Sequence, residues 1–419
     1  MITRLKQILG GVYLRNVGWV ASAEFANRII RLVSTVILAR MFSSQDYGLL
    51  AIVYTLSDFF QVFTLRGSVG AKIIQADEQD VGVICNTAYW LNWFTSGTLF
   101  MLQCLVALAL PYFSKNHSLT LPLIAVAFTY LGYPLFVIHL SLIERENRFK
   151  AVAGCNVVTS LVSNVLIAIF ALLNWGIWAV IFSILLTLPV WVIFTWRCHP
   201  WRPPTHFSLN RWQEILRFGG NLLVNDLLSR TRSNIDYLIV GHYLGIEALG
   251  MYYFAFNAGS GITTSLLNTF MAPLYPYICA VRNDYWQIRE RYFNGLKKVS
   301  LIMIPMILLQ ASLAPIYVPL VFGQKWTPAI PILILVSLSV IPRMYDWASA
   351  LLLNAIDKTQ ISLRISILFT VVFIFSILST VQNGINAVAI AVFLSHLLVL
   401  SPMTLWANRF ALRKEHFYQ

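Results

Sequence analysis

Carboxylates are scarce in this chain, with 17 Asp and Glu against 30 Lys and Arg, and the four charged types together make only 11% of 419 residues. A water-soluble globular chain is about a quarter charged, so that class is excluded at the outset. Cysteine is rare too. The five, Cys85, Cys104, Cys155, Cys198 and Cys279, show neither paired nor metal-like spacing, which leaves no disulfide framework and no metal site to expect. Enzyme signatures are missing as well: there is no phosphate-binding Gly-Lys loop, no metal-spaced His pair and no nucleophile elbow. No enzyme and no cofactor is expected.

What the chain has in excess is apolar length. Hydrophobic residues make up 58% of it, and runs of about twenty, enough to cross a hydrocarbon core, recur from end to end. They predict an all-α integral membrane protein of about twelve transmembrane helices. The first six fall near Val17 to Ala39, Tyr47 to Val69, Ala88 to Leu110, Leu119 to Leu142, Ala151 to Leu172 and Trp175 to Trp196. The second six fall near Phe218 to Gly241, Met251 to Tyr277, Val299 to Val321, Ala329 to Leu353, Ile361 to Val381 and Ile385 to Trp406. Ala21-Ser22-Ala23 mimics a signal-peptidase site, but Arg15 interrupts the apolar run before it, so the first helix is expected to be retained.

The net charge of +13 acquires meaning from its location. With Arg66 and Arg364 assigned to the cytoplasmic ends of their spans, 22 Lys and Arg fall on one side, only Arg40, Lys115 and Lys325 on the other, and five inside spans. This asymmetry predicts both termini in the cytoplasm, and makes the basic balance a topology signal rather than a nucleic-acid footprint.

The largest break in the apolar pattern, Arg197 to Arg217, carries Pro200, Pro203 and Pro204. It predicts two six-helix lobes, residues 1–202 and 203–419, around a central cavity. Sliding one half onto the other by 202 positions sets Glu24 on Asp226, Arg28 on Arg230, Ala39 on Gly241 and Gly48 on Gly250. Six is even, so both halves enter from the same side and the repeats would be parallel. Two segments read as interfacial: the stripe of Ile2, Leu5, Leu9, Val12 and Tyr13, and the connector Ser208 to Arg217 with Trp212, Ile215 and Leu216.

Chemistry is expected where charge meets lipid. Arg28, Arg31, Arg230, Arg232 and Arg343 sit inside spans, at an insertion cost of about 2.5–3.5 kcal/mol each. Glu24, Arg28 and Arg31 share one helical face, and Asp226 and Arg230 repeat the acid-then-Arg spacing. Arg232 points about 200° away from Arg230 and reaches Asp236 one turn on. Local pairing would join Glu24 with Arg28, Asp226 with Arg230, Arg232 with Asp236 and Arg343 with Asp346, leaving Arg31 over. The functional alternative is a cationic cavity in which Arg28, Arg31, Arg230 and Arg343 bind a pyrophosphate, since the guanidinium fork fits phosphate oxygens. Glu24, Asp58, Asp226 and Asp236 would balance charge or couple transport to an ion. Asp58 is either a site for a coupling H+ or Na+ or the partner of Arg31. Asn221, Asn225, Ser229 and Asn234 make the seventh span polar, as a water-filled surface or as glue between helices.

Four stretches, Ile37–Gly48 (ILARMFSSQDYG), Asn86–Asn92 (NTAYWLN), Asn234–Gly245 (NIDYLIVGHYLG) and Phe322–Trp326 (FGQKW), resemble the polysaccharide transporter family. That family, which includes the O-antigen and colanic-acid type exporters, belongs to the multidrug, oligosaccharidyl-lipid and polysaccharide exporter superfamily. The resemblance implies a flippase that moves undecaprenyl-pyrophosphate-linked oligosaccharide (a lipopolysaccharide, capsule or exopolysaccharide repeat unit) outward by alternating access. It implies membrane lipids and glycan polymerases as partners. Many superfamily members carry two further C-terminal helices beyond the twelve. The rivals are a drug/cation antiporter of the same superfamily, which needs net acid in its cavity, and a membrane-embedded glycan polymerase or acyltransferase. The latter needs catalytic residues on an outer loop, where His117 is the expected histidine.

Overall fold

The computed structural model describes residues 27–28, 30–64, 66–114, 117–203, 206–282 and 284–413. Glu24, the stripe between Ile2 and Tyr13 and the Ala21-Ser22-Ala23 site lie outside the described residues. The protein is an all-α membrane protein, with no strand among the described residues.

Helix α1 covers 30–41, and α2 runs Ser44–Val62. A capping box starts α2: Asp46 N–H donates to Ser43 Oγ at 3.1 Å while Ser43 N–H donates to Asp46 Oδ2 at 3.0 Å. This is the chemistry of the Ser-Ser-Gln-Asp stretch. The neighbouring turn depends on it as well, because a Cβ at Gly176, whose φ is +52°, would stand 2.9 Å from Asp46 Oδ1. Helix α3 follows at Arg66–Gln75. Its C-terminal carbonyls are caught by one side chain, as Arg145 Nη1 donates to Ile73 O at 2.7 Å, Ile74 O at 3.1 Å and Ala76 O at 2.5 Å.

Four long helices complete this region: α4 (Val81–Ser114), α5 (Thr120–Arg145), α6 (Phe149–Leu172) and α7 (Trp178–Cys198). Helix α8 is continuous over Trp212–Leu244. Then come α9 (Ile246–Phe256), a π-helical turn at Asn257–Gly261, α10 (Ile262–Met271) and α11 (Leu274–Cys279). The chain ends in α12 (Tyr285–Tyr317), α13 (Ile330–Ala355), α14 (Thr359–Thr380), α15 (Ile385–Leu394) and α16 (Ser401–Ala411).

Eight helical stretches among the described residues are long and apolar enough to cross a membrane. They correspond to the third to sixth and ninth to twelfth expected spans. The other four expected spans open the two halves. The first lies partly outside the described residues, and the second is split into α2 and α3 by a turn at 63–64. The seventh is the polar α8, and the eighth is broken into α9, the π turn, α10 and α11.

By packing, the chain forms two compact units, Met1–Thr231 and Arg232–Gln419. The division falls within α8, farther along than the proline-rich segment at 202/203. In the first unit a core of Val69, Ile73, Ile84, Ala88, Ile138 and Ile215 joins α3, α4, α5 and the start of α8. The connector is pinned to this unit: Thr87 Oγ1 donates to Asn210 O at 2.6 Å and Trp90 Nε1 to His206 O at 3.0 Å. Lys72 pairs with Glu214 at 3.2 Å and Arg211 with Asp80 at 2.6 Å. In the second unit Met271, Tyr292, Met303, Val340, Met344 and Leu352 form the core of α10, α12 and α13. Trp326, fully buried, stacks on Phe254 at 4.0 Å between ring centroids.

Candidate functional site

A guanidinium in hydrocarbon needs a partner or a wet surface, and the two units supply both. In the first unit Arg230 Nη1 lies 3.2 Å from Asp58 Oδ2 on α2, with 47% and 31% of the two side chains exposed. Asp226, one turn earlier on α8, is exposed and makes no ion pair among the described residues. The local Asp226–Arg230 pair is therefore replaced by one across 172 residues. Asp58 takes Arg230 rather than Arg31.

Arg31 is exposed on α1 and makes no ion pair among the described residues. It lines a cavity of about 520 Å³ enclosed by α1, α5, α6 and α7, where Asn27, Thr129, Asn156, Ser163 and Thr187 join it. Among the described residues no carboxylate belongs to that lining. Asn27 is 8% exposed and its Oδ1 has no hydrogen-bond partner among the described residues. Arg28, one position on, is half-buried.

In the second unit Arg232 Nη2 donates to Asp346 Oδ2 at 3.2 Å, and its guanidinium lies 4.6 Å from the Phe369 ring centroid. This pair replaces both expected neighbours, Arg232–Asp236 and Asp346–Arg343. Asp236 is 2% exposed and accepts from Tyr252 Oη at 2.9 Å and from Tyr237 N–H at 3.0 Å. Arg343 is half-buried within electrostatic reach of Arg232, Asp236 and Asp346. A small cavity of about 100 Å³ opens beside Arg232 and Asp346, lined also by Ser349, Ser362 and Ser366.

Sequence reasoning singled out Arg31 but missed the cavity around it. The signal was present on α6. Asn156, Thr159, Ser160 and Ser163 recur at helical spacing through an otherwise apolar span and so form one polar stripe. Among the described residues no cluster of three His, Cys, Asp or Glu has the arrangement of a metal site. The outer-loop His117 side chain lies outside the described residues.

Long apolar helices, charge concentrated on the helices that open each half, and a broken helix beside each of these mark a polytopic membrane transporter fold. The fold is shared with solved structures. The chain superposes on the lipid II flippase MurJ in an inward closed conformation with a TM-score of 0.77 at 15% identity, covering 93% of this chain and 87% of MurJ. It superposes on an inward-facing multidrug resistance MATE family transporter with a TM-score of 0.70 at 13% identity, covering 92% and 94%.

The chain belongs to the polysaccharide biosynthesis protein family, whose model matches residues 37–331. It is 24% identical to the teichuronic acid biosynthesis protein TuaB of Bacillus subtilis (strain 168) over 398 residues, 90% of this chain and 81% of TuaB. It is 27% identical to the lipopolysaccharide biosynthesis protein WzxC of Escherichia coli (strain K12) over 404 residues, 91% of this chain and 77% of WzxC.

Proposed function

We propose that this protein is a flippase for lipid-linked oligosaccharide, carrying an undecaprenyl-pyrophosphate-linked repeat unit outward across the bacterial cytoplasmic membrane with both termini inside. The observation that carries the reading is the Arg31 cavity: a guanidinium among hydroxyl and amide side chains, with no carboxylate among the described residues of the lining. Such a wall suits an anionic, hydroxyl-rich headgroup. A cationic drug would need acid there, which argues against the antiporter. The family and the names of TuaB and WzxC support a glycan substrate, and the likeness to MurJ supports a fold able to accommodate a lipid-linked one.

In this reading Arg28, Arg31, Arg230 and Arg343 bind the pyrophosphate, and the polyprenyl tail stays in lipid. Asp58 balances Arg230. An inside-negative potential favours outward movement of an anion by about 2.3 kcal/mol per charge per 100 mV, so the loaded step requires no nucleotide. Proton or sodium coupling belongs to the same reading, with Glu24, Asp226 and the buried Asp236 as its acids. Glycan polymerases are the partners it implies.

The test is replacement of Arg28, Arg31 or Arg230 by Ala, with surface polysaccharide assayed at matched protein level. Export is expected to fall about tenfold or more, since loss of a charge-assisted contact is worth about 1.5–3 kcal/mol. Lipid-linked glycan should then accumulate on the cytoplasmic face. Unchanged export in all three variants would overturn the proposal.

A further inference from the structure

The cavity inside the first unit is built for more than a phosphate. Its volume of about 520 Å³ falls among small-ligand pockets, which run about 300–1,000 Å³. Three of its hydroxyls have already committed their protons: Thr129 Oγ1 donates to Val126 O at 2.7 Å, Thr159 Oγ1 to Cys155 O at 2.7 Å and Thr187 Oγ1 to Ser183 O at 2.6 Å. What each presents to the cavity is therefore an oxygen lone pair. Asn27 adds a buried amide oxygen with no partner among the described residues. A wall of acceptors wants a ligand rich in hydroxyl donors. Arg31 wants an anion on the same ligand. Trp191, held against Phe136 with ring centroids 5.2 Å apart, supplies an apolar surface for carbon-bound hydrogens. An inorganic anion would use Arg31 alone and leave the acceptors unsatisfied.

We infer that this cavity is a subsite for one anionic hexose, whose hydroxyls donate to Asn27, Thr129, Thr159 and Thr187 while its negative group meets Arg31. The inference rests on the flippase reading for its place in the cell and deepens it, because it makes the first unit a reader of sugar identity. The anion has two sources: a glycosyl phosphate, which keeps Arg31 on phosphate as in the flippase reading, or a uronate carboxylate, which gives Arg31 to the sugar and leaves the pyrophosphate to the other arginines. Both put negative charge on a hexose ring, one unit for the uronate and about 1.5 to 2 for a phosphate monoester at neutral pH.

The full-length purified protein, in lipid nanodiscs, is tested by equilibrium dialysis with radiolabelled glucose 1-phosphate, glucuronate, glucose and inorganic phosphate. At least one of the two hexose anions should bind at least tenfold tighter than both glucose and phosphate, and the better of the two identifies the source of the charge. Arg31→Gln should remove that preference over glucose, and Thr159→Val with Thr187→Val should remove the preference over phosphate. Arg31 is an exposed side chain, so its replacement is expected to leave the thermal transition in place, which the same preparation reports. Phosphate binding as tightly as both hexose anions, or sugar binding indifferent to Arg31→Gln, would overturn the inference. Arg230→Ala separates the two readings: it should block export and still bind the hexose anion, so a failed export proposal leaves this measurement intact.

Discussion

The helices that open each half and the long apolar helices that follow them are built to different rules. Residues 27–75 and 212–279 hold Arg28, Arg31, Asp58, Arg230, Arg232 and Asp236, and in each region the second helix is interrupted. The eight long apolar stretches bury their faces in leucine, valine, alanine and aromatic side chains, with Arg343 and Asp346 on α13 as the charged exceptions deep within them. The difference teaches that most of the intramembrane charge is kept on the opening helices, while the long helices contribute apolar packing and, from α5, α6 and α7, uncharged hydroxyl and amide groups to the Arg31 cavity. Polar groups in lipid are tolerated where they line a wet surface or meet one another, and apolar packing is left to fix everything else.

That separation can be attacked from the apolar side first, where the largest effect is expected. Trp326→Ala removes a fully buried indole from its stack on Phe254. It should cost about 3–5 kcal/mol, read as a lower Tm in detergent, with export per folded molecule kept. An unchanged Tm would break the comparison.

The polar side should split the other way. Arg232→Ala strands Asp346, whose side chain is 18% exposed, and should cost about 1–3 kcal/mol. Replacing both partners, Arg232→Met with Asp346→Leu, should recover most of the Tm but not the export. Recovery of both would show the pair to be only structural.

A smaller effect is expected where the two kinds of region meet within the second unit. A Cβ at Gly259, in the π-helical turn, would stand 3.0 Å from both Leu333 O and Ser337 Oγ. Gly259→Ala should therefore cost about 1 kcal/mol, read by the same melting assay, because the backbone carbonyl opposite has little room to retreat.

The smallest effect lies at the water surface. Hydrogen bonds from Arg211 and from Lys72 hold the Glu214 carboxyl down at about 2. Its contribution is therefore complete above the ordinary carboxylate value of 4.5 and fades as pH falls towards about 2. The Tm gap between the native protein and Glu214→Gln should be small at neutral pH and close on acidification. A gap that widened in acid would contradict the sign. The pairs are solvent-exposed, so salt should shrink the gap as well.

Much of this architecture was legible from the chain alone, because lipid leaves a run of apolar residues few options. The eight long spans and the concentration of Arg at Arg28, Arg31, Arg230, Arg232 and Arg343 needed no structure. The ion pairs were not legible. Spacing along a helix offers Asp226 to Arg230 and Asp236 to Arg232, but the structure joins Arg230 to Asp58 and Arg232 to Asp346 from helices far apart in sequence. Spacing says which side chains share a face, whereas packing decides what that face meets. Asp236 illustrates this, since its face turns to Tyr252. The Arg31 cavity was half legible: the α6 stripe shows polarity, but the convergence of α1, α5, α6 and α7 around it is tertiary.

Arg145 draws together three main-chain oxygens that the end of α3 would otherwise offer to lipid or water. All three meet the same nitrogen, Nη1, so its two N–H groups are shared among the three oxygens and the cation's charge attracts them all. This one side chain thus works as a clasp, fixing how α3 ends before the polypeptide turns into α4.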